Sequence, residues 1–130
     1  MIVYVDSSVF VKAISKEYSF NSLKSAKIVS SELMRTECIR QIQNLDELEI
    51  KAPLLKNLEE LITEVSLMEI NRNVLSNAEM PFGKKIRTLD AIHIGSAILL
   101  RQFSREEVVI LTHDKRMQEV ATLTGFSVIE

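Results

Sequence analysis

Residues 1–8 read MIVYVDSS, and this stretch decides how the fold begins. Ile2 to Val5 is a short run of apolar residues that favour β-strands, and a carboxylate and two serines follow it directly. Asp and Ser are common N-caps, so Asp6 could simply start a helix. Asp6 could also be a functional carboxylate at the end of a buried strand. The stretch alone leaves both interpretations open.

The rest of the chain repeats this design and alternates strands with helices. Residues 107–114, EVVILTHD, are another apolar run that ends in a carboxylate, Asp114. The strands are continuously apolar, which is typical of a parallel sheet covered on both faces. We therefore predict a doubly wound α/β fold, with helices flanking a parallel sheet, in one domain of residues 1–130. The predicted strands are 2–5, 27–30, 65–70, the apolar part of 107–114, and 126–129.

Helical periodicity fills the segments between these strands. The run 65–70 could also be the tail of the helix before it, although we favour a strand. Pro53 fits the first turn of its helix, Ser31 is a plausible N-cap, and Gly125 ends the last helix. The first predicted helix begins near Ser7, and another begins near Pro53 and runs to Ile62. The other predicted helices span residues 31–45, 72–79, 88–103 and 115–123.

Composition narrows the class of protein. The chain has 130 residues, 46% of them hydrophobic and 26% charged, as in an ordinary globular domain. The net charge of −2 gives no overall basic footprint for nucleic acid. No apolar run reaches the roughly 18 residues that a membrane span needs, and the N-terminus does not resemble a signal peptide. We therefore expect a cytoplasmic protein without a membrane partner. The single Cys38 has the spacing of a core residue.

Four acidic residues lie at apolar boundaries. Asp6 and Asp114 each follow a predicted strand, and the carboxyl ends of parallel strands form the ligand-binding edge of such sheets. Glu37 lies beside an apolar helical stripe, and Asp90 lies in the first turn of an apolar helix. Each has a structural explanation as a cap, a stripe edge or a partner of the helix dipole. Four such placements together favour a shared site.

A cluster of carboxylates needs a counter-charge. Two like charges about 4 Å apart repel by roughly 4 kcal/mol at an effective dielectric constant near 20. A divalent cation removes this conflict, and all-oxygen ligands select Mg²⁺ or Mn²⁺. Such a site can activate a water and stabilise the leaving oxygen of a phosphodiester. The residues therefore suggest metal-assisted phosphodiester hydrolysis.

Four motifs together resemble PIN-domain ribonucleases of the VapC toxin type. They are VDSSVFVK near the N-terminus, SSELMRTE, RTLDAIHIGSAILL, and VVILTHDKRMQEVATLTGFSVI at the C-terminus. They occur in the family's order and leave only residues 45–82 without a marker. The resemblance implies a PIN-like fold and an Mg²⁺- or Mn²⁺-dependent endoribonuclease. It implies that Asp6, Glu37, Asp90 and Asp114 are the catalytic and metal-binding residues.

The resemblance also implies supporting residues and partners. Ser8 and Thr112 match hydroxyl positions that support the first and last acids by hydrogen bonding. The family implies a homodimer, an RNA substrate, and a VapB-like antitoxin that inserts a segment into the active-site groove. The chain would then be the toxin of a toxin–antitoxin pair.

Basic and histidine side chains near the acids are open to more than one interpretation. A basic run is usually solvated surface, but seven basic residues near the acids could contact RNA phosphates. Arg35 could instead neutralise an acid when no metal is bound. We expect His93 to be a core histidine with a satisfied ring nitrogen, and neither His93 nor His113 to ligate metal. The seven candidate RNA contacts are Lys12, Arg35, Lys84, Lys85, Arg87, Lys115 and Arg116.

Three other functions are considered. A haloacid-dehalogenase-like phosphatase would use Asp6 as a nucleophile, but it needs a second acid where Ser8 stands. A receiver-like domain needs its phosphorylated Asp in mid-chain and paired acids earlier. The remaining alternative is a catalytically weak PIN-fold module that only binds RNA or its antitoxin.

Overall fold

Five parallel strands form one sheet in the order β3-β2-β1-β4-β5 in the computed structural model, which describes residues 1–129. The predicted doubly wound α/β fold is therefore confirmed. The strands are β1 Ile2–Val5, β2 Lys27–Ser31, β3 Ser66–Met68, β4 Val108–Leu111 and β5 Ser127–Ile129. The helices are α1 Ser7–Ile14, α2 Glu32–Gln43, α3 Leu48–Ile62, α4 Arg72–Ala78, α5 Thr88–Phe103 and α6 Lys115–Leu123, with a 3-10 turn at Phe20–Leu23.

The central strand β1 explains why the opening run is apolar at every position. Ile2 and Tyr4 pack into one core with residues of α5 and α6. Val3 and Val5 pack into a second core with residues of α1, α2 and α3. Because successive side chains of a strand point to opposite faces, both faces of β1 must be apolar. The strand therefore has no solvent-facing side.

The order of strands reverses at β1. It pairs with β2 on one side and with β4 on the other, with Ile2 in register with Lys27 and with Val108. Open α/β sheets bind ligands in the crevice outside the carboxyl ends of the strands at such a switch point. The residues that follow β1 and β4, Asp6 and Asp114, are therefore at the expected place for a site.

Helix α3 begins earlier than the sequence predicted. Pro53 was expected in the first turn, but α3 starts at Leu48 and Pro53 lies inside it. Proline lacks the N–H that would bond the carbonyl of Glu49, so it normally favours a helix start. The extra turn precedes the apolar stripe and is supported by the acidic Glu49 near its N-terminus. Tertiary packing of Leu58 and its neighbours holds the rest of the helix.

The other predicted ends agree closely with the structure. Ser31 caps α2 by accepting a hydrogen bond from the Leu33 N–H at 3.0 Å. The ambiguous run at 65–70 contains the strand β3. Gly125 ends α6 with a φ of 93°, a conformation that side chains other than glycine rarely adopt. Within residues 1–129, no helix is both long and apolar enough to span a membrane.

Candidate carboxylate site at the sheet edge

Asp6 is both a helix cap and a buried carboxylate. Its Oδ1 accepts hydrogen bonds from the N–H of Ser8 at 3.2 Å and from the Ser8 hydroxyl at 2.6 Å. Its Oδ2 accepts a hydrogen bond from the Thr112 hydroxyl at 2.6 Å. Burial raises the pKa of Asp6, and these hydrogen bonds oppose that shift by favouring the ionised form. Asp6 therefore caps α1, and it is also a buried carboxylate at the end of a buried strand; its functional role stays a prediction.

Ser8 and Thr112 join the ends of the two central strands. The Ser8 hydroxyl accepts a hydrogen bond from the His113 N–H at 3.0 Å, across the junction between β1 and β4. The Thr112 hydroxyl accepts one from the Asp114 N–H at 3.1 Å. The two hydroxyl oxygens are themselves 3.3 Å apart. This network fixes the Asp6 carboxylate on both of its oxygens.

Asp90 and Asp114 are the next two acids of this edge. Asp90 is half-buried in the first turn of α5, and its Oδ2 lies 3.8 Å from Nε of Arg87. Burial raises the pKa of Asp90, and the negative charge of Asp114 raises it further, while Arg87 opposes the shift. Asp114 caps α6 by accepting a hydrogen bond from the Met117 N–H at 3.0 Å. Asp90 also feels the charge of Asp6, so these three acids share one electrostatic environment.

Glu37 reaches the same region from α2. Its Oε1 is 2.7 Å from Nε2 of His93, and the other ring nitrogen of His93 is 2.7 Å from the Tyr4 hydroxyl. His93 is only 1% exposed, which confirms the prediction of a core histidine with satisfied ring nitrogens. Both ring nitrogens of His93 are engaged by protein atoms, and the expectation that His93 does not ligate metal stays a prediction. The sequence analysis did not identify the contacts of Glu37 and Tyr4 with His93.

Cys38, next to Glu37, is a core residue as predicted. It is buried and lies 3.9 Å from the sulfur of Met34. Burial raises the pKa of the Cys38 thiol to about 12, and the charges of Glu37 and Asp6 add to this effect. A neutral thiol is a poor nucleophile. The burial of Cys38 and its raised pKa both indicate a packing residue.

The candidate RNA-contacting residues are exposed, and three of them lie close to a carboxylate, which is a site carboxylate only for Arg87. Arg35 pairs with Glu59 at 2.8 Å, so the suggestion that it neutralises a site acid is not supported. Arg35 and Glu37 are two positions apart in sequence, and on a helix such residues do not face each other. Lys84 pairs with Glu119, and Arg87 lies beside Asp90. The exposed set is Lys12, Arg35, Lys84, Lys85, Arg87, Lys115 and Arg116.

The donor set fits a hard divalent cation. All four predicted ligands are carboxylates, and oxygen ligands are those that Mg²⁺ and Mn²⁺ prefer. As the side chains of residues 1–129 stand, no three His, Cys, Asp or Glu residues form a ready metal cage. Mg²⁺ typically binds through one or two carboxylates and keeps several waters, so it does not require such a cage.

Comparison with known proteins identifies the fold family. The PIN-domain family matches residues 3–123. The chain belongs to the PIN-domain family. This PIN domain is 30% identical over 134 residues to Ribonuclease VapC46 of Mycobacterium tuberculosis, with 98% of this chain and 95% of that protein covered.

Solved structures share the architecture at low sequence identity. The VapBC2 structure from Rickettsia felis, bound to a promoter DNA fragment, has a TM-score of 0.73 and 15% identity over 99% of this chain and 98% of the other. FitAcB from Neisseria gonorrhoeae has a TM-score of 0.74 and 16% identity over 100% and 97%. DNA-bound VapBC from Salmonella typhimurium has a TM-score of 0.75 and 15% identity over 99% and 97%. At these identities the likeness concerns the fold.

Proposed function

We propose that the chain, as one PIN domain of residues 1–130, is a divalent-metal-dependent endoribonuclease that cleaves RNA phosphodiester bonds. The observation that carries the proposal is that Asp6 and Asp114 follow β1 and β4 at the switch point of the sheet, and that Asp90 is near enough to both for their charges to raise its pKa. Glu37 reaches the same region through His93. The 30% identity to a ribonuclease VapC supports the same activity.

The proposed catalytic and metal-binding residues are the four carboxylates of this site. Asp6, Glu37, Asp90 and Asp114 would hold Mg²⁺ or Mn²⁺. When bound, the cation would help to activate the hydrolytic water and to stabilise the leaving oxygen of the phosphodiester.

The supporting residues have a separate task. Ser8 and Thr112 hold both oxygens of Asp6 by short hydrogen bonds and so keep this carboxylate in one orientation. Preorganised ligands of this kind do not need to reorder when substrate binds. The exposed Lys115 and Arg116 begin α6, directly after Asp114, and would contact the phosphates that flank the cleaved bond. The remaining exposed basic residues would extend this contact.

We propose further that the protein acts in the cytoplasm as the toxin of a toxin–antitoxin pair. A VapB-like antitoxin would inhibit it by inserting a segment into the active-site groove. The fold likeness to VapBC structures is consistent with such a partner. An apolar cleft between α1, α2 and α3, lined by Val11, Ile42 and Leu54 among others, offers a surface for the partner's apolar side chains. A homodimer would cover exposed apolar residues such as Phe103 and Leu123.

Cleavage of total cellular RNA tests the proposed activity. The purified protein is incubated with RNA in Mg²⁺, in EDTA, and as Asp90→Asn in Mg²⁺. We expect discrete fragments only in the first reaction, because the variant removes one carboxylate of the site and EDTA removes the cation. Cleavage that persists in Asp90→Asn would indicate a contaminant or a different site.

Binding separates the enzyme from the alternative, a catalytically weak PIN-fold module. Asp90→Asn should bind RNA as well as the wild-type protein or more tightly, because it removes a negative charge near the phosphates. Intact RNA in all three reactions, together with tight RNA or antitoxin binding, would favour the binding module.

A further inference from the structure

The Glu37 carboxylate contacts a residue from the helices on the opposite face of the sheet. Among the contacts that the structure describes for this carboxylate, His93 is the one that lies on that face. Glu37 lies on α2, which packs on one face of the sheet, whereas His93 lies on α5, which packs on the other. Their atoms Oε1 and Nε2 are 2.7 Å apart. The contact therefore passes over the carboxyl edge of the sheet, where the acids lie.

The geometry points to His93 as a positioning residue that holds the Glu37 carboxylate in place, with the Tyr4 hydroxyl fixing the His93 ring from behind. This inference rests on the proposed function, since Glu37 is one of the proposed metal ligands. It assigns no metal bond to His93. Carboxylate ligands are commonly held by outer hydrogen-bond partners, whose loss typically costs about 10- to 100-fold in metal affinity or activity.

The direction of each hydrogen bond follows from the groups involved. An ionised carboxylate can only accept, so Nε2 of His93 must carry a proton and donate it to Glu37. In the neutral ring, Nδ1 then has no proton and accepts a hydrogen bond from the Tyr4 hydroxyl, 2.7 Å away. Tyr4 is 1% exposed and His93 is 1% exposed, so the ring is held inside the core on both sides. Glu37 is more exposed than His93, and it is the member of this hydrogen-bonded series on the side of the proposed site.

Burial alone does not explain this arrangement. A buried histidine needs hydrogen-bond partners for both ring nitrogens, and a backbone carbonyl would serve as well as a carboxylate. Here the partner on the site side is a proposed ligand, and the partner on the core side belongs to β1, the strand that Asp6 follows directly. The hydrogen-bonded series Tyr4–His93–Glu37 thus links the position of Glu37 to the strand that directly precedes Asp6.

NMR of the histidine ring tests the geometry without any enzyme assay. The protein contains two histidines, and the His93→Gln variant assigns the His93 signals by their loss. We expect a protonated Nε2 whose proton exchanges slowly with water, and we expect Glu37→Leu to speed up this exchange. An Nε2 without a proton, or exchange unchanged in Glu37→Leu, would overturn the inference. This result stands whether or not the protein cleaves RNA.

Kinetics and metal binding test the consequence. His93→Leu removes the donor, whereas His93→Gln keeps a terminal N–H that can reach Glu37. Val120→Ala, a truncation in the same core as Tyr4, controls for general loss of stability. For His93→Leu we expect kcat to fall about 10- to 100-fold with little change in the KM for RNA. We expect a similar loss of Mn²⁺ affinity, measured by calorimetry, and substantial recovery of both in His93→Gln.

Two results would contradict the positioning role. One is wild-type kcat and Mn²⁺ affinity in folded His93→Leu. The other is an equal loss in His93→Leu, His93→Gln and Val120→Ala, which would reveal an effect of stability alone. If His93→Leu does not fold, Tyr4→Phe replaces it, since it keeps the ring and removes only the hydroxyl. A wild-type protein without ribonuclease activity would refute the proposed function and leave the NMR and Mn²⁺ measurements to decide this inference.

Discussion

Gly95→Ala is expected to destabilise the protein, although alanine is the better helix former. Gly95 is buried in α5, where α4 crosses closely. A Cβ at this position would lie 2.6 Å from the carbonyl oxygen of Val74 and 2.9 Å from the amide nitrogen of Ala78. Both atoms are backbone, so they cannot rotate away as a side chain would. The helices must separate, and with them the start of α5 that carries Asp90.

The magnitude follows from two opposed effects. Replacing glycine by alanine in a helix gains about 1 kcal/mol of intrinsic propensity. Overpacking a closed contact costs about 1–3 kcal/mol, and two contacts to backbone indicate the upper half of that range. We therefore expect a net loss of roughly 1–2 kcal/mol in the free energy of unfolding. For a chain of this size, that loss lowers Tm by roughly 3–10 °C.

Urea denaturation measures this difference, read as a lower midpoint with an unchanged m-value. Ser76→Ala is the matched control, because Ser76 is exposed on α4 and its replacement adds propensity without a clash. It should raise stability by a few tenths of a kcal/mol. A free energy of unfolding that rises in Gly95→Ala as it does in this control would contradict the close approach of α4 to α5.

Three further predictions concern the site. Thr112→Val leaves Oδ2 of Asp6 without its 2.6 Å donor, so unfolding free energy should fall by about 1.5–3 kcal/mol in urea titrations; a midpoint equal to that of Thr112→Ser would contradict this. Mg²⁺ or Mn²⁺ at about 100 times its Kd should stabilise the wild-type protein by about 2.7 kcal/mol in thermal melts. An unchanged Tm at millimolar metal would contradict the prediction that the four acids form a metal site. For RNA bound by Asp90→Asn, affinity should fall with salt, and replacing both Lys115 and Arg116 by Gln should reduce the slope of log K against log salt by about 1.4; an unchanged slope would exclude both as phosphate contacts.

Most of the fold was predictable because each central strand can be recognised from its own few residues, an apolar run that ends near a carboxylate. Burial on both faces forces Val3 and Tyr4 alike to be apolar, and the carboxylate that follows marks the strand end. Caps such as Ser31 fix helix starts with side chains of the same segment. The predicted start of α3 was wrong because a further turn, with the acidic Glu49 near its N-terminus, precedes Pro53.

The contacts within the site were less predictable, because they join residues distant in sequence. The bond between Glu37 and His93 spans 56 positions, and that between Tyr4 and His93 spans 89. Spacing along one helix could place His93 near Asp90, but only the order of the strands brings α2 and α5 to the same edge. The pairing of Arg35 with Glu59 depends in the same way on how α2 packs against α3.

The most direct test of the proposed activity is the single-turnover cleavage rate of one labelled RNA, chosen from the fragments that total RNA yields. It is measured for wild-type protein and Asp90→Asn at the same Mg²⁺ concentration, with RNA binding measured for both. We predict that the variant binds this RNA at least as well as the wild-type protein and cleaves it at least about 100-fold more slowly, as expected when a group that acts in the transition state is lost. Equal cleavage rates, at equal binding, would contradict the assignment of the carboxylate site as the catalytic centre.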